Sequence, residues 1–320
     1  MRLGIIKLSA LGDIIVAMSF LPFLKEKGYE IDWFVDSLFE GILQDSPFIH
    51  TIHPLPLKQS FKNKDFKSLF QQVQKLKKLK PYDLLIDMQG LIKSAIIGKI
   101  IPSQVFKGFG FNSCKESLSS LFYQEKIHIA YEENILKRNA KLLSLPSCFE
   151  VKSPFGFSPK AQEKISSLLQ SPYKKVLLLP EASKPTKMYP ISHFIELCQS
   201  LKNEKITFFV LHHSFLNKAE QLCQNSQVIL LPQLNLDEVK ALVSSVDAVI
   251  GGDTGITHLA WAMKKPSITL YGNTPLKRFE LYGEKNISLS GNPYANYDKK
   301  DFSIAKINPS EIKKHLLEIL

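Results

Sequence analysis

Short apolar runs alternate with longer stretches in which apolar positions recur every three or four residues, and the alternation continues along the chain. The first run, Leu3 to Leu8, is apolar apart from Gly4 and Lys7 and reads as a strand of the buried type. It passes through Ser9-Ala-Leu-Gly12-Asp13 into a helical pattern from Ile14 to about Lys25. Strands are predicted at Glu30 to Val35, Tyr82 to Met88 and Gln104 to Phe109, and helices at Asp36 to Leu43, Asp65 to Leu79 and Glu132 to Leu143. Two prolines, a glycine and several serines without periodicity then mark a linker between Leu145 and Pro159. Beyond it the alternation resumes. Helices are predicted at Pro159 to Leu169, Ile191 to Leu201, Phe215 to Cys223 and Leu236 to Ser244, and strands at Lys175 to Leu179, Ile206 to Leu211, Val228 to Leu231 and Ala248 to Ile250.

Strands and helices alternating at this length predict an α/β protein with parallel sheets and right-handed crossovers. The simplest assembly has two Rossmann-like domains, residues 1–153 and 154–320, whose sheets face a central cleft. The last helix, Pro309 to Leu320, is amphipathic and suited to packing on either domain, the first included.

Candidate chemistry gathers where strands end. Val249-Ile-Gly-Gly-Asp253-Thr254-Gly255 runs from a strand through a tight loop into a helix that stops before Pro266. Such a loop aims backbone amides and a helix dipole's positive end at one spot, suited to an anion. Pro180-Glu181-Ala-Ser183-Lys184-Pro-Thr186-Lys187 follows another buried strand; its hydroxyls and lysines fit either a diphosphate or a solvated loop. In the first half, Asp13 reads either as a helix N-cap or as a carboxylate at a strand's carboxyl end, where open α/β sheets bind ligands. Asp87-Met-Gln89-Gly90 to Ser94 gathers polar groups at another strand end. Only Gly12 lies in the first turn, so the three-glycine dinucleotide fingerprint is missing, which argues against a nicotinamide or flavin enzyme.

Charge narrows the partners less than the motifs do. The net charge of +11 suits nucleic acid, an anionic membrane surface or a phosphorylated substrate. The basic residues are spread over several segments without a nucleic-acid motif, so no nucleic-acid partner is expected. Lys58, Lys62 and Lys64 lie in a loop before a polar helix and read as a solvated surface or an anion contact. Cys114, Cys148, Cys198 and Cys223 lack paired spacing and read as ordinary thiols of a cytosolic protein. No signal peptide is legible, and no apolar stretch approaches the roughly 20 residues that span a bilayer.

Asp253-Thr254-Gly255 with His258-Leu-Ala, then Pro266 and Tyr271-Gly272-Asn273-Thr274, resembles the C-terminal signature of the bacterial heptosyltransferases of lipopolysaccharide core synthesis, glycosyltransferase family 9. Lys7-Leu-Ser9-Ala-Leu-Gly12-Asp13, Tyr82 to Ser94, Leu121-Phe-Tyr123 with His128, and Lys187-Met-Tyr-Pro190 also fit that family. The resemblance runs from Met1 to about Gly283.

The resemblance implies a GT-B inverting glycosyltransferase. The donor implied is ADP-L-glycero-β-D-manno-heptose, the acceptor a Kdo sugar on lipid A, and no cofactor or essential metal is expected. Addition of the second core heptose, or another sugar-nucleotide reaction such as epimerisation, is the alternative. By the family's pattern Asp13 is the general base. Lys187, Thr254 and Gly255 hold the donor diphosphate, Asp253 and His258 shape the donor site, and Ser183 is a further donor-binding residue. Ser9, Lys58, Lys62, Lys64, Lys115 and Arg138 fall to the acceptor. Ala182-Ser183 stands where two threonines are usual, Lys115 where an arginine is, and the adenine-side acid is unmatched, with Asn217 or Glu220 as candidates. The protein is expected to act as a cytoplasmic monomer at the inner membrane's cytoplasmic face.

Overall fold

The computed structural model describes residues 1–57, 60, 63, 65–146 and 150–320. The chain divides into two compact units, Met1–Gly156 and Phe157–Leu320, three residues beyond the boundary expected from the linker.

The first unit holds one parallel sheet of β1 (Arg2–Ile6), β2 (Glu30–Asp36), β3 (Thr51–Leu55), β4 (Tyr82–Asp87), β5 (Ser103–Phe109) and β6 (Glu125–Ile127). Their spatial order is β3-β2-β1-β4-β5-β6. The second unit repeats the plan with β7 (Lys174–Leu179), β8 (Ile206–Val210), β9 (Val228–Leu230), β10 (Ala248–Gly252), β11 (Ser267–Tyr271) and β12 (Asn286–Ser290), ordered β12-β11-β10-β7-β8-β9. Counted within each unit, both sheets carry the doubly wound order 3-2-1-4-5-6. That order reverses between β1 and β4, and again between β7 and β10. Ligands of such sheets bind at this switch, outside the carboxyl ends of the strands.

The central strands form because both their faces are covered: β10 and β11 are buried at every residue. The sequence pattern misses β3, β6 and β12, and all three are edges. Edge strands are covered less and carry polar or proline residues, such as His53 and Pro54 in β3 and Glu125 and Lys126 in β6. Helix boundaries follow local chemistry. Asn134, Ser158, Asn235 and Asn308 each cap a helix by accepting a backbone amide. The single helix expected from Ile14 to Lys25 is instead two, Leu11–Met18 and Leu21–Glu26, since Pro22 has no amide to continue the ladder. The final helix, Pro309–Ile319, belongs to the second unit: it packs on helix Ile191–Ser200, and Ile312, Leu316 and Ile319 join that unit's core.

At the amino ends of β1 to β4, Asp32 is buried and tied to its neighbours. Its Oδ2 accepts from Tyr82 Oη at 2.7 Å and Arg2 Nη2 at 2.9 Å, and its Oδ1 lies 3.2 Å from His50 Nδ1. Burial pushes this carboxyl up, but its bonds with His53, Tyr82 and His50 outweigh that and hold it well below the usual range. This network pins strand register at the end of the sheet away from the switch.

Candidate active site

In the second unit the switch point brings together the turn after β7 and the loop after β10. Glycine makes the approach possible. A Cβ on Gly252 would lie 2.1 Å from the Lys187 carbonyl oxygen, so only a residue without a side chain lets the turn rest on β10. Lys187 ends the 3₁₀ turn Pro185–Lys187, and its ammonium donates to Asp253 Oδ2. Asp253 Oδ1 lies 2.9 Å from His258 Nε2, one turn into helix Gly255–Ala262. The Asp253 carboxyl is 5% exposed. Burial raises its pKa, yet the His258 hydrogen bond and the Lys187 charge together hold it well below the ordinary carboxylate range. The three side chains thus form one charge-balanced unit at the mouth of the helix.

Thr254 is the N-cap residue of that helix. Its amide donates to Thr257 Oγ1, which in turn donates to the carbonyls of Gly252 and Thr254. Thr257 therefore clamps the loop in shape. The amides of Gly255 and Ile256, in the helix's first turn, lack intrahelical acceptors by the geometry of any helix start. Among the described residues, Thr254 Oγ1 is buried without a hydrogen-bond partner, as is His258 Nδ1. Buried polar groups left in this state are suited to a ligand.

Ser183 and Lys184 are exposed on the same turn. Sequence reasoning assigned no role to Glu181. Its carboxylate accepts from the amides of His213 at 3.1 Å, Ser214 at 2.9 Å and Phe215 at 2.8 Å. The amide cluster ahead of helix Leu216–Asn225 is thereby already filled by a protein anion. Among the described residues, no carboxylate accepts from the amides of the helix start at Thr254–Gly255. A glutamate just past a buried strand was the legible signal; its partners, more than 30 residues on, were not.

In the first unit Asp13 is the third residue of helix Leu11–Met18, not its cap: Ala10 holds that position. Asp13 Oδ2 accepts from the Ala10 amide at 3.3 Å, the reach-back of a third-position acid. It remains partly exposed at the carboxyl end of β1. Gln89, at the end of neighbouring β4, accepts through Oε1 from the amides of Leu8 at 3.0 Å and Ser9 at 3.1 Å, which fixes the turn leading to Asp13. Asp87 is fully buried beneath it and accepts from Gln89 N, Gly90 N, Ser94 Oγ and Tyr123 Oη. Burial pushes the Asp87 carboxyl up while these bonds pull it back. Without exposure it supports the turn and cannot meet a substrate.

Ser9 is half-buried beside Asp13, and Lys115 is exposed. Arg138, predicted to face the acceptor, is buried instead. Its Nη1 donates to the Ala130 carbonyl at 2.6 Å, its Nη2 to that of Ser113 at 2.5 Å, and its guanidinium stacks over Phe109. A guanidinium engaged in this way shapes the 113–130 segment from within. Lys58, Lys62 and Lys64 lie outside the described residues. Cys114 and Cys198 are buried free thiols, and burial pushes Cys198 up to about 12, which makes it inert.

Known proteins share both the sequence and this architecture. The family model described as glycosyltransferase family 9 (heptosyltransferase) matches residues 69–308. Lipopolysaccharide heptosyltransferase 1 of Campylobacter coli is 35% identical over 100% of this chain and 99% of its own length. Escherichia coli heptosyltransferase WaaC, solved with ADP, superposes with a TM-score of 0.82 at 24% identity and full coverage of both chains. E. coli ADP-heptose lps heptosyltransferase II superposes with a TM-score of 0.80 at 17% identity, covering 100% of this chain and 98% of that one. The two doubly wound units are those of the GT-B fold these structures share. By family match and full-length similarity, the chain belongs to glycosyltransferase family 9, the heptosyltransferases.

Proposed function

We propose that the chain transfers L-glycero-D-manno-heptose from its ADP-linked donor to a Kdo sugar on lipid A, inverting the anomeric centre. The observation carrying this reading is the helix start at Thr254–Gly255, with a Thr254 Oγ1 that has no partner among the described residues and a cation, Lys187, held beside it by Asp253. A departing nucleoside diphosphate accumulates negative charge. Fixed amides, a hydroxyl and an ammonium stabilise that charge, each such donor contributing about 2.7 to 4 kcal/mol in comparable oxyanion sites. This chemistry calls for no metal. Ser183 is the further donor contact on the same turn.

On the acceptor side, the attacking hydroxyl must shed a proton as it bonds to the anomeric carbon. Asp13 is the carboxylate assigned to take it, with Ser9 beside it. Lys115, together with Lys58, Lys62 and Lys64, is assigned to the anionic acceptor, and Arg138 to positioning. The name of the 35% identical relative supports addition of the first core heptose over the second. An acceptor carried by a lipid calls for peripheral contact with the membrane's cytoplasmic face, and no described helix is long and apolar enough to cross a bilayer.

Incubation with ADP-heptose and Kdo-lipid A, followed by mass measurement of the lipid, tests the reading. One heptose increment on the lipid is expected. Transfer only to an acceptor already carrying heptose would make this a second-heptose enzyme. An altered free sugar nucleotide with unchanged lipid would indicate epimerisation.

A further inference from the structure

The first unit exposes an apolar ridge on two packed elements, one of which also exposes lysines. The 3₁₀ helix Ser117–Phe122 repeats every three residues, so Leu118 and Leu121 eclipse on one side while Ser119 and Ser120 are buried. Leu118 is 55% and Leu121 69% exposed. This segment packs on helix Ile92–Ile100, whose outward positions at three-residue spacing are Lys93, Ile96 and Lys99. Ile96 is 46% exposed, and both lysines are exposed.

The ridge is held by specific contacts. Ser119 Oγ donates to Cys114 Sγ at 3.3 Å, the Ile92 amide to Glu116 Oε2 at 2.7 Å, and Tyr123 Oη to Asp87 Oδ2 at 2.7 Å. Asp87 also accepts from the Gln89 amide, and Gln89 from that of Ser9. A continuous set of hydrogen bonds therefore links the underside of the ridge to the turn carrying Asp13. Three large aliphatic side chains held in water on a braced surface mark an interaction site.

We propose that Ile96, Leu118 and Leu121 dip into the surface of an anionic bilayer, with Lys93 and Lys99 meeting its phosphate headgroups. Charge decides in favour of a lipid: Ile96 is flanked along its helix by the exposed Lys93 and Lys99, in a chain of net charge +11. Apolar insertion combined with basic contacts is the pairing that holds peripheral proteins on negatively charged leaflets. The inference rests on the lipid-borne acceptor proposed above and names the surface that would bring this unit to it.

Flotation with phosphatidylcholine vesicles, with and without phosphatidylglycerol, tests the surface. The chain should bind the anionic vesicles more tightly, and less so as salt rises. Leu118→Ser/Leu121→Ser should weaken binding roughly tenfold, a loss from apolar burial that persists at high salt. Lys93→Gln/Lys99→Gln should weaken binding to anionic vesicles roughly thirtyfold, at about 1 kcal/mol per lysine. Both variants should retain turnover on a detergent-dispersed acceptor. Parental vesicle binding by the double serine variant would overturn the proposal. So would a dimer in sedimentation that the same variant dissolves, because the ridge would then cover a second copy of the chain. Vesicle binding through the ridge without heptosyl transfer would instead remove the function reading and leave the surface standing.

Discussion

Lys187 and Asp253 stand 66 positions apart in the chain and form one ion pair, with the carboxylate buried and the ammonium partly exposed. The cation reaches the Thr254–Gly255 helix start because that carboxylate, itself held by His258, fixes where the ammonium lies.

Lys187→Ala should therefore have two effects. Removing one partner leaves Asp253 buried and undercompensated, which costs about 3 kcal/mol of stability. Donor use should fall about a hundredfold in kcat/KM below the variant's melting range, as for loss of one charge-stabilising donor. Unchanged donor affinity and turnover would transfer the diphosphate role elsewhere on the turn, with Lys184 the next cation.

Asp13→Asn should fold like the parent chain, since the residue is partly exposed and its one described bond is the contact at 3.3 Å with the Ala10 amide. Turnover should drop by a factor of about 10² to 10⁴, the usual contribution of a general base, while melting temperature and ADP binding stay put. Near-normal turnover would remove Asp13 from the mechanism.

Gly252→Ala tests the geometry that joins the two strand ends. The added methyl meets backbone, not a flexible side-chain tip, so the turn must shift. Loss of about 1 to 3 kcal/mol of stability is expected, with weakened ADP binding measured by calorimetry.

Acid should destabilise both units, through different carboxylates. Asp253 and Asp32 are held below their ordinary pKa in the folded state. The unfolded chain then binds protons first. The stabilisation is complete at pH values above the ordinary carboxylate range of about 4 and is lost as pH falls through and below it. Urea midpoints followed from pH 7 to pH 3 should decline, and Asp32→Asn should flatten the decline in the first unit. A midpoint that does not change over that span would remove both carboxylates as acid-sensitive supports.

Treatment with EDTA should leave heptosyl transfer unchanged, because amides, a hydroxyl and Lys187 are assigned to the leaving diphosphate. Loss of turnover restored by a divalent cation would show that the charge is met differently.

Much of the fold is legible in residue order because its strongest physical signal is local. The central strands are mostly apolar, as suits parallel strands covered on both faces, and Ser158 caps a helix where hydrophobic periodicity begins. The edges β3, β6 and β12 carry weaker signals since fewer of their residues are buried. Arg138 shows a further limit. A helix position announces a charge, yet whether that charge faces solvent or the carbonyls of Ala130 and Ser113 depends on segments far away in sequence.

Two α/β halves, and the positions of Asp13, Lys187 and Asp253-Thr254-Gly255 past the ends of strands, are set by residue order alone. Hydrophobic periodicity and turn residues suffice for this, because each acts over a few neighbouring positions. Only the tertiary structure decided strand order, and hence the switch points between β1 and β4 and between β7 and β10. It also decided that Lys187 pairs with Asp253, that Glu181 fills the other amide cluster, and that Arg138 turns inward. These outcomes depend on packing between distant segments, which decides the partner each charge meets.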